Sequence, residues 1–399
     1  MGSSVFIAGV GVISAIGNNV SENIAALETG RAGMAAMQYL SSAHHDVLPV
    51  AEVKLDNEAL AAIAGLPAHI SRTALLSAVA AKEALQNSGI KDFSSFRTGF
   101  ISANTVGGMD KTEDFFKDFL NNPARGKLRN LIHHECGAAT DIVADVLGIK
   151  HYTSTISTAC SSSANAVFFG ARLIKQNLLD IVIAGGTDAL TRFTLNGFNT
   201  LMILDHQYCQ PFDENRRGLN LGEGAGYIVM MSEKAMQALQ VQPIATVKGY
   251  CNANDAYHQT ASSPDGTGSY LAMKGALSMS GLNAADIDYI NLHGTGTQNN
   301  DVAEGTAIKL LFQENFPPLS STKSFTGHTL GASGGIEAVF SVLSIKHGYI
   351  YPNLRFETQM KELPFAPATA FKKNARVRNV LSNSFGFGGN CSSLIFSKV

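Results

Sequence analysis

Cysteine is scarce in this chain and poorly placed for building structure. Five cysteines occur in 399 residues, at positions 136, 160, 209, 251 and 391, and none of them stands at CxxC or CxH spacing. A zinc site of the usual pattern and a disulfide framework are therefore not expected, and a reducing, cytoplasmic compartment is. Long apolar runs are also missing. None approaches the roughly 18 residues a spanning helix needs, so no membrane insertion is expected. The start, MGSSVFIAGVGVISAIG, lacks the charged segment of a secretory signal, and Phe6 stands where a Met-Gly myristoylation signal requires Ser or Thr. Excess charge is absent too. The net value of −2 gives no electrostatic reason to expect nucleic acid as a partner. Proline is sparse, with 11 against 38 glycines, and 45% of residues are hydrophobic, so the chain can bury a large core. Its length suits two ordinary domains or one large two-part fold.

Strand-like and helical segments alternate. SVFIAGVGVIS reads as a strand, residues 71–89 as a helix with a glycine stop, RTGFISANT as a strand, and LLDIVIAGG as a strand buried on both faces. This β-α-β-α order predicts an α/β layered protein. A faint internal echo accompanies it. LGEGAGYIVMMS and FGFGGNCSSLIFS both run from glycines into an apolar strand, and STACSSSANAVFFGARLIKQN and FTGHTLGASGGIEAVFSVLSIKHG both place small residues before an amphipathic helix. Two matching halves, residues 1–243 and 244–399, account for both pairs.

Cys160 stands among small hydroxyl residues where a helix should begin, since Ala164, Val167, Phe168, Ala171 and Ile174 recur at spacings of three and four. Ser161, Ser162 and Ser163 are expected to serve the free N–H groups of the first turn, and the helix dipole to favour thiolate. A buried strand–helix junction is the plainer reading of this cysteine alone. His293, in INLHGTGTQNND, and His328, in STKSFTGHTLGASGG, lie in glycine-rich loops that let backbone approach a ligand. Either one taken singly also fits a structural role.

The combination is more specific. TACSSSANA, PFDENRRGLNLGEGAG, NLHGTGTQNND, TKSFTGHTLGASGGIEA and NSFGFGG occur in one order along the chain. In these motifs the sequence resembles the β-ketoacyl-acyl-carrier-protein (ACP) synthases, the condensing enzymes of fatty acid and polyketide synthesis. The resemblance implies a thiolase-like five-layered α/β/α/β/α sandwich of two similar halves. It implies a homodimer, or a heterodimer with a related subunit, and no cofactor or metal. It makes Cys160 the acyl-carrying nucleophile, His293 and His328 donors to the malonyl thioester, and the N–H groups of Cys160 and Phe387 an oxyanion hole. It also makes Lys323 a support of the second histidine loop, Asp301 and Glu304 its carboxylate partners, and Phe387 an aromatic gate with Phe385 beneath it. Asn291, Glu337, Asn383 and Ser384 match a set that holds a monovalent cation in some relatives, although no ion is expected here. Val106 falls where relatives limit the acyl pocket. Arg125, Lys127 and Arg129 offer a basic patch for acyl- and malonyl-ACP, or simply a solvated loop.

Departures cluster near the site. Asn390 and Cys391 replace the family's Thr-Asn, Arg217, Leu219 and Asn220 replace Asp, Phe and Val, and Gln210 replaces an arginine. They favour a specialised product such as a polyene at least as much as ordinary fatty acids. Two other readings remain. A non-catalytic partner subunit would usually have lost Cys160. A degradative thiolase would need a second cysteine as base, for which Cys391 is the candidate.

Overall fold

The computed structural model describes residues 4–399; the Met-Gly start lies outside the described residues. Ten strands form one mixed sheet: β1 (Val5–Ser14), β2 (Thr98–Ala103), β3 (Tyr152–Ile156), β4 (Ile181–Asp188), β5 (Gly224–Ser232), β6 (Ala245–Asn254), β7 (Tyr289–Asn291), β8 (Leu319–Ser320), β9 (Asn379–Gly386) and β10 (Asn390–Ser397). The apolar runs read as strands appear as β1, β2 and β4. The segment 71–89 is a helix over Arg72–Asn87, with the Ser71 hydroxyl as its cap.

Strand order explains the internal echo. The sheet runs β3-β2-β4-β5-β1-β6-β10-β9-β7-β8. Its second five strands, read from the outer edge as β8-β7-β9-β10-β6, repeat the first five with each number raised by five. Pairing repeats as well. β1–β5 and β4–β5 are antiparallel and β2–β4 and β2–β3 parallel, matched by β6–β10, β9–β10, β7–β9 and β7–β8. The two glycine-to-strand segments are β5 and β10, which occupy equivalent places. Among the described residues the sets join through two paired positions, Phe6 with Thr246 and Ile7 with Ala245.

Layering follows from which faces are apolar. One core lies between β1, β2, β4 and β5 and the outer helices Arg72–Asn87 and Cys136–Leu147. A second lies between β7, β9 and β10 and the helices Thr267–Ser280 and Gln298–Phe312. The third and largest lies between the two sets of strands, around the helices Ser162–Lys175 and Ser333–His347. The result is a five-layered α/β/α/β/α arrangement.

The Ser333–His347 helix differs from its sequence reading. It is buried on every side from Ser333 to Ile345 rather than along one stripe, because it has strands on both faces. Its glycines permit that approach: a Cβ on Gly335 would lie 2.5 Å from the Gly226 carbonyl oxygen. The loops leading into these two central helices carry Cys160 and His328.

Candidate active site

After β3 the backbone turns sharply into the Ser162–Lys175 helix. Ala159 takes a left-handed φ of +52°, an uncommon conformation for a residue with a Cβ, and thereby presents Cys160 at the turn. The three serines do not cap the first turn as expected. The turn is so tight that its own polar groups are their nearest partners. Ser161 Oγ donates to the Thr158 carbonyl (2.8 Å), and Ser162 Oγ accepts the Thr158 N–H (2.8 Å). Ser163 Oγ accepts the Gly335 N–H (2.7 Å), pinning this helix to its counterpart.

His328 Nε2 lies 3.1 Å from Cys160 Sγ. The Leu330 N–H donates to His328 Nδ1 (3.1 Å), which places the ring proton on Nε2, facing the sulfur. His293 stands edge-on to His328, with ring centres 5.5 Å apart and planes at 86°. The Lys323 ammonium lies 3.3 Å from His293 Nδ1 and donates to the His293 carbonyl (2.6 Å), so His293 likewise carries its proton on Nε2. Burial, reinforced by the Lys323 charge, pushes both imidazoles well below their ordinary range and keeps them neutral. Two neutral N–H donors therefore flank one sulfur.

Burial also governs the thiol. It pushes Cys160 up to about 11, against the opposing pull of Lys323 and of the Phe387 and Cys160 N–H groups. The expected thiolate preference is thus overridden. Cys160 is 6% exposed, and desolvation of the anion outweighs one helix N-terminus.

The lysine's carboxylate partner also differs from expectation. Lys323 Nζ pairs with Glu337, not with Asp301 or Glu304. Asp301 and Glu304 instead accept backbone N–H groups of the first histidine loop. Glu304 takes those of His293 (2.9 Å) and Gly294 (2.8 Å), and Asp301 those of Thr295 (3.1 Å) and Gly296 (3.2 Å). Lys323 accordingly supports His293 rather than the loop of His328. Burial raises Glu304 to about 7. In the cation-like set, Asn383 is committed to Glu304 and Ser393, while the Asn291 amide and Glu337 Oε2 have no partner among the described residues.

A cavity of about 340 Å³ opens over Cys160, within the range of small-molecule sites. Its inner wall includes His293, His328, Phe385, Phe387, Leu219 and Cys391. Phe385 packs on the His293 ring (5.9 Å), and Phe387 stacks on Phe198 (5.7 Å, 16°). Gly388 and Gly389, both at φ +77°, carry the chain past Phe387, and the Gly388 N–H is held by the Gln259 carbonyl (2.7 Å). Burial pushes the Cys391 thiol up to about 12, so it keeps its proton and makes a poor base.

Other expected residues lie apart. Val106 is buried beside Asp188, which accepts its N–H (3.3 Å), and it does not line this cavity. Arg125, Lys127 and Arg129 are exposed beyond the helix Met109–Asn121. Glu113 of that helix accepts the N–H groups of Arg192 and Phe193, at the start of the helix that carries Phe198. Two contributors carried no sequence signal. Asp188 ties the Thr105 N–H (2.9 Å) to that of Gly331 (2.7 Å), and Phe198 meets Phe387 only through the fold.

Comparison with known proteins gives matches along nearly the whole chain. Residues 2–235 match the profile of the β-ketoacyl synthase N-terminal domain, and residues 244–357 that of the C-terminal domain. The chain is 33% identical to 3-oxoacyl-[acyl-carrier-protein] synthase 2 of Staphylococcus aureus (strain N315), over 99% of this chain and 98% of that enzyme. Among solved structures, the ishigamide ketosynthase/chain length factor superposes with a TM-score of 0.94 at 28% identity, covering all of both chains. The ketosynthase ApeO in complex with its chain length factor ApeC, from Xenorhabdus doucetiae, does so with a TM-score of 0.85 at 29% identity, covering 100% of this chain and 98% of that one.

Proposed function

We propose, from the premise that the chain belongs to the β-ketoacyl synthase family, that it is an acyltransferase condensing a malonyl unit with an acyl group held on Cys160. The observation that carries this reading is the single sulfur flanked by two neutral imidazoles, with His328 Nε2 at 3.1 Å and His293 edge-on behind it.

In the first half-reaction Cys160 Sγ attacks the thioester carbonyl of an acyl carrier protein. The new C–S bond replaces the old one, and the proton given up by the cysteine leaves with the carrier thiol. The N–H groups of Cys160 and Phe387 would hold the oxyanion, each such donor being worth roughly 3–4 kcal/mol. In the second, malonyl carrier loses CO2. The released electron pair forms an enolate, whose oxygen accepts from His293 and His328 Nε2. Its carbon attacks the acyl carbonyl, the bond to Cys160 breaks, and the sulfur recovers a proton from solvent. The product is a β-ketoacyl carrier two carbons longer.

Neutral histidines suit this role, because the charge they must stabilise appears only in the transition state. Lys323 and Glu304 act as positioning residues for His293. Arg125, Lys127 and Arg129 give an acidic carrier a basic landing place. The acyl chain belongs to fatty acid or polyketide synthesis. A cytoplasmic setting is supported by five cysteines without a disulfide.

Among the described residues the outer strand β3 is paired on one side only, with β2. A second copy adding its own β3 across a two-fold axis would remove both open edges. A second reading, a catalytic chain that works beside a related partner subunit, rests on likeness to the two ketosynthase/chain length factor structures alone, and a non-catalytic partner subunit is not favoured.

One experiment tests both. The purified chain and Cys160→Ala are incubated with acyl carriers of several lengths and weighed intact, and malonyl carrier is then added. An acyl adduct lost in the variant, followed by a carrier-bound chain two carbons longer, is the expected result. An adduct without elongation points to a missing partner, and no adduct with any carrier overturns the catalytic reading.

A further inference from the structure

The cavity over Cys160 has a polarity gradient along its length. Its floor is sulfur, imidazole and phenyl, whereas its outer wall includes Thr260, Ser262, Gln298 and Asn299. One Arg or Lys lines it: Arg217. The side chain is 50% exposed, at the mouth, while Cys160 and His328 at the bottom are 6% and 2% exposed.

Arg217 is held in place without being used up. Its Nη2 donates to Gln207 Oε1 (2.7 Å) and lies 3.3 Å from Asp205 Oδ1, and Asp205 is itself almost completely buried. Nε and Nη1 have no protein partner among the described residues. A tethered guanidinium with free donors on the rim of a reaction cavity is a built anion receptor.

Resting on the condensing reading above, we propose that Arg217 is a specificity-determining residue that binds the phosphate of the carrier's prosthetic arm. The depth of the two candidate anions decides between them. The malonyl carboxylate must sit beside the histidines and the sulfur, since its α-carbon makes the new bond there. The phosphate lies at the opposite, outer end of the arm, where Arg217 is.

The test compares wild type, Arg217→Gln and Arg217→Lys with three acyl donors: an acyl N-acetylcysteamine thioester without phosphate, an acyl phosphopantetheine without protein, and the acyl carrier protein. The readouts are the rate of Cys160 acylation across donor concentration and the rate of the malonyl step that follows it. In Arg217→Gln the ratio of kcat/KM for the phosphopantetheine donor to that for the short thioester is expected to fall about tenfold, mostly through KM, with Arg217→Lys between the two. An unchanged ratio overturns the proposal. If only the protein-borne donor weakens, the anion is the carrier's acidic surface. If only the later malonyl step weakens, it is the malonyl carboxylate. Failure of wild type to acylate from any donor would instead defeat the condensing reading.

Discussion

Replacing Lys323 with methionine keeps the length of the side chain and removes its charge from beneath His293. Lys323 and Glu337 are 1% and 2% exposed and pair with each other, so the substitution strands a carboxylate in the core. Breaking such a pair typically costs about 3–5 kcal/mol. Unfolding a 399-residue chain changes its entropy by about 0.8 kcal/mol/K at the usual per-residue value, so about 4 kcal/mol lowers Tm by about 5 °C.

The loss should depend on pH in a definite direction. Burial raises Glu337 above its ordinary 4.5, and Lys323 is the main opposing influence. Without the lysine the folded chain must take up a proton that the unfolded chain releases above 4.5. Wild type shares that loss up to about pH 7, where Glu337 stands even beside the lysine, so against wild type the variant loses a further ~1.4 kcal/mol per unit only above about pH 7, until its own higher folded value is passed. Calorimetry at pH 6 and pH 8 should show a Tm deficit against wild type about 2 °C larger at pH 8. Lys323→Met/Glu337→Gln should recover about 2 kcal/mol of it. The single variant also loses the donor to His293 Nδ1, so malonyl decarboxylation should fall about 100-fold while Cys160 acylation falls much less. An equal Tm deficit at both pH values, or no recovery in the double variant, would refute the assignment of Glu337 as the charge that Lys323 neutralises.

Two further outcomes follow from the same geometry. Alkylation of Cys160 by iodoacetamide, read by peptide mass, should rise about tenfold per pH unit from 7 to 10, because burial pushes its thiol to about 11; a plateau near pH 9 would mean the thiol is not desolvated. Gly386→Ala would place a Cβ 3.0 Å from the Cys160 N and 3.2 Å from the Thr158 carbonyl oxygen. Acylation should then slow about tenfold or more with Tm nearly unchanged, since misplacing one wall of an oxyanion hole costs rate before it costs fold. A wild-type rate in this variant would remove Phe387 from that role.

Much of this was legible along the chain, for physical reasons that differ from residue to residue. β1 and β4 announce themselves because strands buried on both faces must be continuously apolar, and the small residues around Cys160 because a sharp turn beside a substrate leaves room for nothing larger. The pairing of Lys323 with Glu337 was not legible. Asp301 and Glu304 carry the same charge at a plausible spacing, and only the packing of the Ser333–His347 helix between the strands decides which carboxylate reaches the ammonium. The protonation of Cys160 is not legible for a related reason. A helix N-terminus can be read from sequence, but the depth of burial that outweighs it is a property of all five layers. Phe198 and Asp188 act through contacts 189 and 83 residues away in the chain, with Phe387 and Thr105, and no local pattern marks them.

The mirrored strand order has a consequence for inheritance as well as for shape. The loop entering each central helix is the same structural address used twice, once for Cys160 and once for the histidine that faces it. Neither copy is a reduced version of the active centre; each holds a part that is inert without the other. Substitutions that loosen the seam between Ser163 and Gly335 should therefore behave like mutations in a subunit interface, disturbing the register of two half-sites while each half keeps its own folded core. The molecule is in that sense an obligate dimer written as one chain.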